Sequence, residues 1–230
     1  MSFKSGLRGG LPVGLGYFSV SLAFGVLASQ SGCTLLEAML ISVTNLTSAG
    51  QFAGLSVITA SGTLIEMALT QLVVNARYAL MSIALSQKLS KNFHSGWRWL
   101  LGFAITDEIF AVAIGNPQKI EPAYFAGLAL LPIAGWSAGT LCGAVLGSIL
   151  PAIVTGALGV ALYGMFIAIV TPKAKEDKHV LAAVGLAVAL SVLFRYTPFL
   201  SKVSGGFAMI ICAVAASAAA ALLFPVKEEN

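Results

Sequence analysis

The stretch "QLVVNARYAL", residues 71–80, sets an asparagine and an arginine inside an otherwise apolar run. A bilayer-spanning helix meets a penalty of about 2.5–3.5 kcal/mol for an arginine near its centre. What Arg77 faces therefore decides how the chain is built. The solvent is settled by composition: 58% of the 230 residues are hydrophobic, 10% are charged, and the mean hydropathy is +0.92. Soluble domains average roughly 25% charged. The chain reads as an all-α, polytopic integral membrane protein, a single membrane domain over 1–230. Its opening, "MSFKSGLRGGLP", carries no A-x-A-like cleavage site and is taken as part of that domain. The net charge of +4 sits mostly in short loops, as suits cytoplasmic loops facing anionic lipid, and nothing in it suggests nucleic-acid binding.

Cofactor chemistry finds little to work with. Cys33, Cys142 and Cys212 lie isolated in or beside apolar segments and read as small packing residues. There is no C-x-x-C, and both histidines, His94 and His179, fall in charged loops, so neither a zinc nor a haem site is expected. No P-loop and no G-x-G-x-x-G occurs, which argues against nucleotide dependence.

Eight apolar segments follow one another: Leu11–Ser29, Leu35–Ala60, Leu64–Leu85, Trp97–Gly115, Ala123–Leu146, Ile149–Val170, Val180–Tyr196 and Gly205–Phe224. Most approach the ~20 residues that a ~30 Å hydrocarbon core requires. Lys and Arg collect in cytoplasmic loops. If all eight segments cross from a cytoplasmic N-terminus, seven loop and terminal positives fall inside (Lys4, Arg8, Lys119, Lys173, Lys175, Lys178, Lys227) and four outside (Lys88, Lys91, Arg98, Lys202). If Leu35–Ala60 and Ala123–Leu146 are instead broken and leave on the side they entered, nine fall inside and only Lys119 and Lys202 outside. Both segments are rich in Gly, Ser, Thr or Pro. The charge balance favours about six full spans plus these two broken or re-entrant segments, with both termini cytoplasmic.

The same two segments look related. A shift of 85 residues lays Gly50-Gln51-Phe52-Ala53-Gly54 on Gly135-Trp136-Ser137-Ala138-Gly139, Gly62 on Gly147, Ala76 on Ala161 and Tyr78 on Tyr163. This suggests repeat units 10–87 and 96–172, followed by C-terminal helices 180–224; chance coincidence of small residues is the competing reading.

Ionisable groups within the apolar segments are few: Glu37, Glu66, Arg77, Asp107, Glu108 and Arg195. Glu37, Glu66 and Arg195 sit near segment ends, where snorkelling explains them. Arg77 and Asp107 each lie fifteen residues from Asn92, the centre of the loop between their helices. In consecutive antiparallel helices rising ~1.5 Å per residue, the two charges reach a similar depth, just short of the midplane. A purely structural ion pair is one outcome; a polar site is the other. The neighbours favour the site. Gln71 and Asn75 share one helical stripe, Thr106, Asp107 and Glu108 group a hydroxyl with two carboxylates, and Gly50 and Gln51 stand at the suspected break. A helix break offers N–H donors to a carboxylate, and a carboxylate held at depth suits proton coupling. Gln51, Asn75, Arg77, Thr106, Asp107, Glu108, Gln71, Gly50 and Trp136 are the candidate binding or coupling residues, and an apolar zwitterion such as an amino acid matches them.

These same residues carry a family resemblance. Phe24-Gly25, "SAGQF" (48–52), "NARY" (75–78), "TDE" (106–108) and "YFAG…GWSAGTLCGAVLG" (124–147) resemble, in order and spacing, the AzlC family, the large subunit of branched-chain amino acid exporters. Where that family commonly carries an aspartate in a "GLDFA"-like stretch, this chain reads "GALGVALYGMF" (156–166), without an acid. The resemblance implies a bacterial inner-membrane permease exporting leucine, isoleucine or valine on the proton gradient, together with a small AzlD-like membrane subunit. A channel for a small neutral solute is the alternative. An intramembrane enzyme would need a nucleophile–base pair or metal ligands, which this sequence does not group.

Overall fold

The computed structural model describes residues 2–147, 149, 153, 164, 167, 170–172 and 174–224. Helices whose bounds fall among the described residues are α1 (Phe3–Gln30), α2 (Leu35–Thr44), α3 (Ser48–Thr59), α4 (Leu64–Ser86), α5 (Ser95–Gly102), α6 (Asp107–Gly115), α7 (Pro122–Leu146), α8 (Lys178–Tyr196) and α9 (Gly205–Leu223), with a 3₁₀ turn at Leu200–Lys202. Five of them (α1, α4, α7, α8 and α9) are long and apolar enough to cross a membrane. Most of the segment 149–170, including Ala161 and Tyr163 of the repeat alignment and all of the 156–166 stretch but Gly164, lies outside the described residues. The chain gathers into two compact units, Met1–Phe52 with Asn75–Gly159 and Ala53–Val74 with Val160–Asn230.

The first unit is organised by α1 and α7, which pack along their length in parallel. The carbonyl of Phe3 lies against Gly127, Gly14 against Gly135, and Leu22 against Gly143, so residue numbers rise together on the two helices. In a bilayer, helices are held by close van der Waals approach rather than by expulsion of water, and glycine permits it. A Cβ on Gly14 would stand 2.7 Å from the Leu131 oxygen, and one on Gly143 would stand 2.9 Å from the carbonyl carbon of Leu22. The small residues of 123–146, expected to mark a broken segment, are there for this seam. That segment is one continuous helix of 25 residues; Pro132 sits inside it with its ring packed toward Gly10.

The second break lies elsewhere. Trp97–Gly115, expected to cross as one span, is two short helices: α5 of 8 residues and α6 of 9 residues. At 1.5 Å per residue they reach about 12 and 13 Å, roughly half of a hydrocarbon core. Their outer ends meet at one level. Ser90 N–H donates to the Ile120 carbonyl (2.9 Å) and Ile120 N–H to that of Lys88 (2.9 Å), stitching the loop before α5 to the loop after α6. Lys119 Nζ donates to the Gln87 carbonyl at 2.8 Å, Lys88 Nζ to the Ile114 carbonyl, and Asn92 to the Glu121 carboxylate at 3.0 Å. Segment 95–115 therefore enters and leaves at the end where α1 and α7 begin, as a helical hairpin with its tip at Phe103–Thr106.

Segment 35–60 is broken as expected, but at Asn45–Thr47, between α2 and α3; Gly50 and Gln51, expected at the break, lie within α3. α2 descends from the opposite end: Ser42 reaches Thr140, and Leu46 packs on Tyr17 and Trp136 near the middle of α1 and α7. α3 then turns back, its Phe52 edge-on to Phe24 further along α1 (5.4 Å, 82°). Two half-length hairpins thus enter the first unit from opposite ends. Six of its seven basic residues (Lys4, Arg8, Lys88, Lys91, Arg98 and Lys119) gather at the α5–α6 end, hereafter the basic end; the seventh is Arg77.

In the second unit, α8 and α9 form an antiparallel pair, with His179 stacked near Phe224 (4.5 Å). Glu66 does not snorkel. It is 3% exposed, and its carboxylate accepts from the Ser204 hydroxyl (2.5 Å) and the Gly206 N–H (3.0 Å), filling the N-terminus of α9. Glu37 is exposed and closes a capping box with Thr34 at the start of α2. Arg195 is exposed in the last turn of α8.

Candidate functional site

The tip of the α5–α6 hairpin is set by "ITDE". Thr106 is the extended N-cap of α6 (φ −124°, ψ 169°), and Asp107 and Glu108 occupy its first turn, where carboxylates oppose the positive helix end. A capping threonine ordinarily turns its hydroxyl onto the helix backbone. Thr106 does not; its hydroxyl lies 2.6 Å from that of Tyr17, in the middle of α1. Tyr17 also stands 2.5 Å from Glu108 Oε2. One phenol proton cannot serve both contacts. Donated to the carboxylate, the stronger acceptor, it leaves the phenol oxygen to accept from Thr106.

Beside this chain, Arg77 on α4 meets Asp107 at 2.7 Å, as their matched depths predict. Arg77 also donates to the Tyr78 hydroxyl (3.3 Å), with its guanidinium 5.0 Å from that ring. The pair is not sealed within the chain: the two side chains are 42% and 40% exposed.

Gln51 and Trp136, proposed from sequence, are brought together, though in a different role from the one expected. The Gln51 N–H already donates to the Thr47 carbonyl (2.9 Å) and is not open to a carboxylate. Its side chain is fully buried. Oε1 accepts from the Trp136 indole N–H (3.0 Å), which fixes the amide orientation because an indole can only donate, and Nε2 donates to Ser42 (2.8 Å). Ser42 in turn shares a hydrogen bond with Thr140 (2.5 Å). This ladder pins the α2–α3 hairpin to α7. Tyr17 joins it to the charged tip, with its ring edge-on to Trp136 (5.1 Å, 74°). Gln51→Leu leaves the Trp136 indole N–H without a partner and Ser42 with Thr140 alone, so a loss of about 1–3 kcal/mol in stability is expected. Thermal unfolding of the detergent-solubilised protein measures it.

Of the remaining candidates, Gly50 is buried in the first turns of α3 and Asn75 lies on α4 two residues before Arg77. Gln71 belongs to the second unit, where its amide approaches Met67 Sδ at 3.8 Å. Tyr17, Ser42 and Thr140 escaped sequence reasoning. Only Tyr17 carried a signal, a phenol in mid-span that needs a partner.

Residues 12–150 match the AzlC protein family. The chain belongs to the AzlC family. A membrane protein of Archaeoglobus fulgidus is 33% identical over 192 residues, 82% of this chain and 84% of that one. The Escherichia coli inner membrane protein YgaZ is 28% identical over 198 residues, 83% of this chain and 80% of its own. A membrane protein of Helicobacter pylori is 26% identical over 197 residues, 84% and 85% of the two chains. No solved structure matches the chain. Both hairpins and α7 fall inside the part matched by the AzlC family, as does α1 from residue 12 onward.

Proposed function

We propose that this AzlC protein is a secondary active transporter that exports branched-chain or similarly apolar amino acids across a bacterial inner membrane, coupled to protons. The observation that carries this reading is the convergence of two opposed half-length hairpins on the middle of α1 and α7, with an accessible Arg77–Asp107 pair and Glu108 at one tip. Broken helices in mid-membrane are where transporters seat substrates and coupling ions, because their ends offer unpaired dipoles that lipid cannot satisfy. Arg77 receives the substrate carboxylate, and Asp107 or Glu108 takes the ammonium or the coupling proton. Substrate class and direction are supported by the resemblance to branched-chain amino acid exporters, which also supports a small AzlD-like partner subunit. Six basic residues at the basic end of the first unit support, through the positive-inside rule, a cytoplasmic N-terminus; a cytoplasmic C-terminus belongs to the same proposal.

Counterflow in proteoliposomes tests the reading. Liposomes preloaded with leucine are expected to accumulate labelled leucine transiently, and an imposed pH gradient is expected to shift the accumulation. Flux without counterflow and indifferent to the gradient would identify a channel instead.

A further inference from the structure

A cavity of about 220 Å³ opens between the end of α4, α5 and the start of α7. It reaches Gly102 and Ile105, so its floor is the hairpin tip that Thr106 and Asp107 continue. Its walls are apolar (Leu101, Ile105 and Phe125 among them), and its polar groups are three: Ser82, Ser86 and Arg98. Their hydrogen-bonding state is selective. Ser82 donates its proton to the Tyr78 carbonyl (2.7 Å) and Ser86 to that of Ile83 (2.6 Å), so both hydroxyl oxygens retain only acceptor capacity. Arg98 gives its Nε proton to the Phe93 carbonyl (3.1 Å), which leaves four of the five guanidinium protons. It makes no ion pair among the described residues, and no carboxylate lines the cavity.

A donor cluster without a counter-charge, acceptors without a donor and an apolar wall define one ligand chemistry. We propose that this cavity is a vestibule holding an apolar amino acid as its zwitterion, carboxylate on Arg98, ammonium on Ser82 and Ser86, and side chain on Leu101, Ile105 and Phe125. The assignment rests on the transport reading, to which it adds a loading site one step before the Arg77–Asp107 pair. A carboxylate with an apolar tail could also come from a fatty acid, which lacks the ammonium that the serines receive.

Calorimetric titration of the purified full chain separates these cases, with leucine, 4-methylpentanoate (no ammonium) and 3-methylbutylamine (no carboxylate) as probes. Leucine is expected to bind, and each truncated analogue to bind about tenfold more weakly or worse. Arg98→Gln is expected to weaken leucine by a similar factor and leave the amine unchanged, with Arg98→Lys recovering part of the loss. Leucine binding is expected to survive in the Arg77→Gln/Asp107→Asn double variant, because the cavity lies outside that pair. Binding that vanishes in the double variant and ignores Arg98→Gln overturns the vestibule while transport stands. Absence of transport alongside the expected binding pattern overturns transport while the cavity stands. Equal affinity for 4-methylpentanoate and leucine overturns the zwitterion in favour of a fatty acid. No binding of leucine overturns the site outright.

Discussion

Gly143→Ala is expected to prevent the native α1–α7 seam from closing. The added methyl meets the Leu22 carbonyl, a backbone atom that cannot rotate aside, and stands 3.0 Å from Val26 N. Overpacking costs about 1–3 kcal/mol where side chains can adjust. Here two helix axes must separate, which also loosens Ser21, Tyr17 and their neighbours on the same face, so the loss belongs at or above the top of that range. Gly16→Ala is the control. Nothing lies within 4 Å of its added carbon, and replacing a helical glycine by alanine favours the helix by up to about 1 kcal/mol. Thermal unfolding and the monodisperse fraction on gel filtration should part the two variants clearly. Equal behaviour would mean that α1 and α7 do not meet through these glycines.

The Arg77–Asp107 pair carries the second large effect, this time on transport. Arg77→Gln or Asp107→Asn alone is expected to lower leucine counterflow on the order of a hundredfold. Stability should suffer less: with both side chains about 40% exposed, screening holds the pair's own contribution to roughly 1 kcal/mol. The double variant, neutral at both positions, leaves no unpaired charge and should regain that stability without regaining transport. Recovery of transport in the double variant would reduce the pair to a tie between α4 and α6.

The solvent and the charge pair were legible in the sequence because each follows from a quantity the sequence contains. Composition sets the medium, and equal spacing from Asn92 sets equal depth. That segment 35–60 breaks was legible for the same kind of reason, a cluster of polar and small residues in mid-span; its position was not, since the break falls at Asn45–Thr47 and the expected Gly50 and Gln51 sit inside α3. The other break was misplaced because small residues have two uses in a membrane. In 123–146 they let α1 approach, and the helix runs through Pro132; in 97–115 the chain breaks at "FAIT", with no glycine or proline in the tip itself. Its marker is a cap, Thr106 followed by two acids, a pattern that reads equally as site chemistry. Gln51 was found but miscast, since its partner Ser42 and the next residue of the ladder, Thr140, are distant in sequence and ordinary in type. Tertiary hydrogen bonds of that kind leave no local trace.

The parallel pairing of α1 and α7 also bears on how the chain is made. Residues 31–121 lie between the two helices, and at about 5–20 residues per second a ribosome needs roughly 5–20 seconds to supply them. For that interval α1 stands in the membrane with its glycine face unmatched, and the α5–α6 hairpin, too short to span, has no wall to lean on. Biogenesis of the α1–α7 seam therefore waits on α7. A nascent chain released before Leu146 would hold every residue of the charged tip and still lack the complete scaffold that positions it.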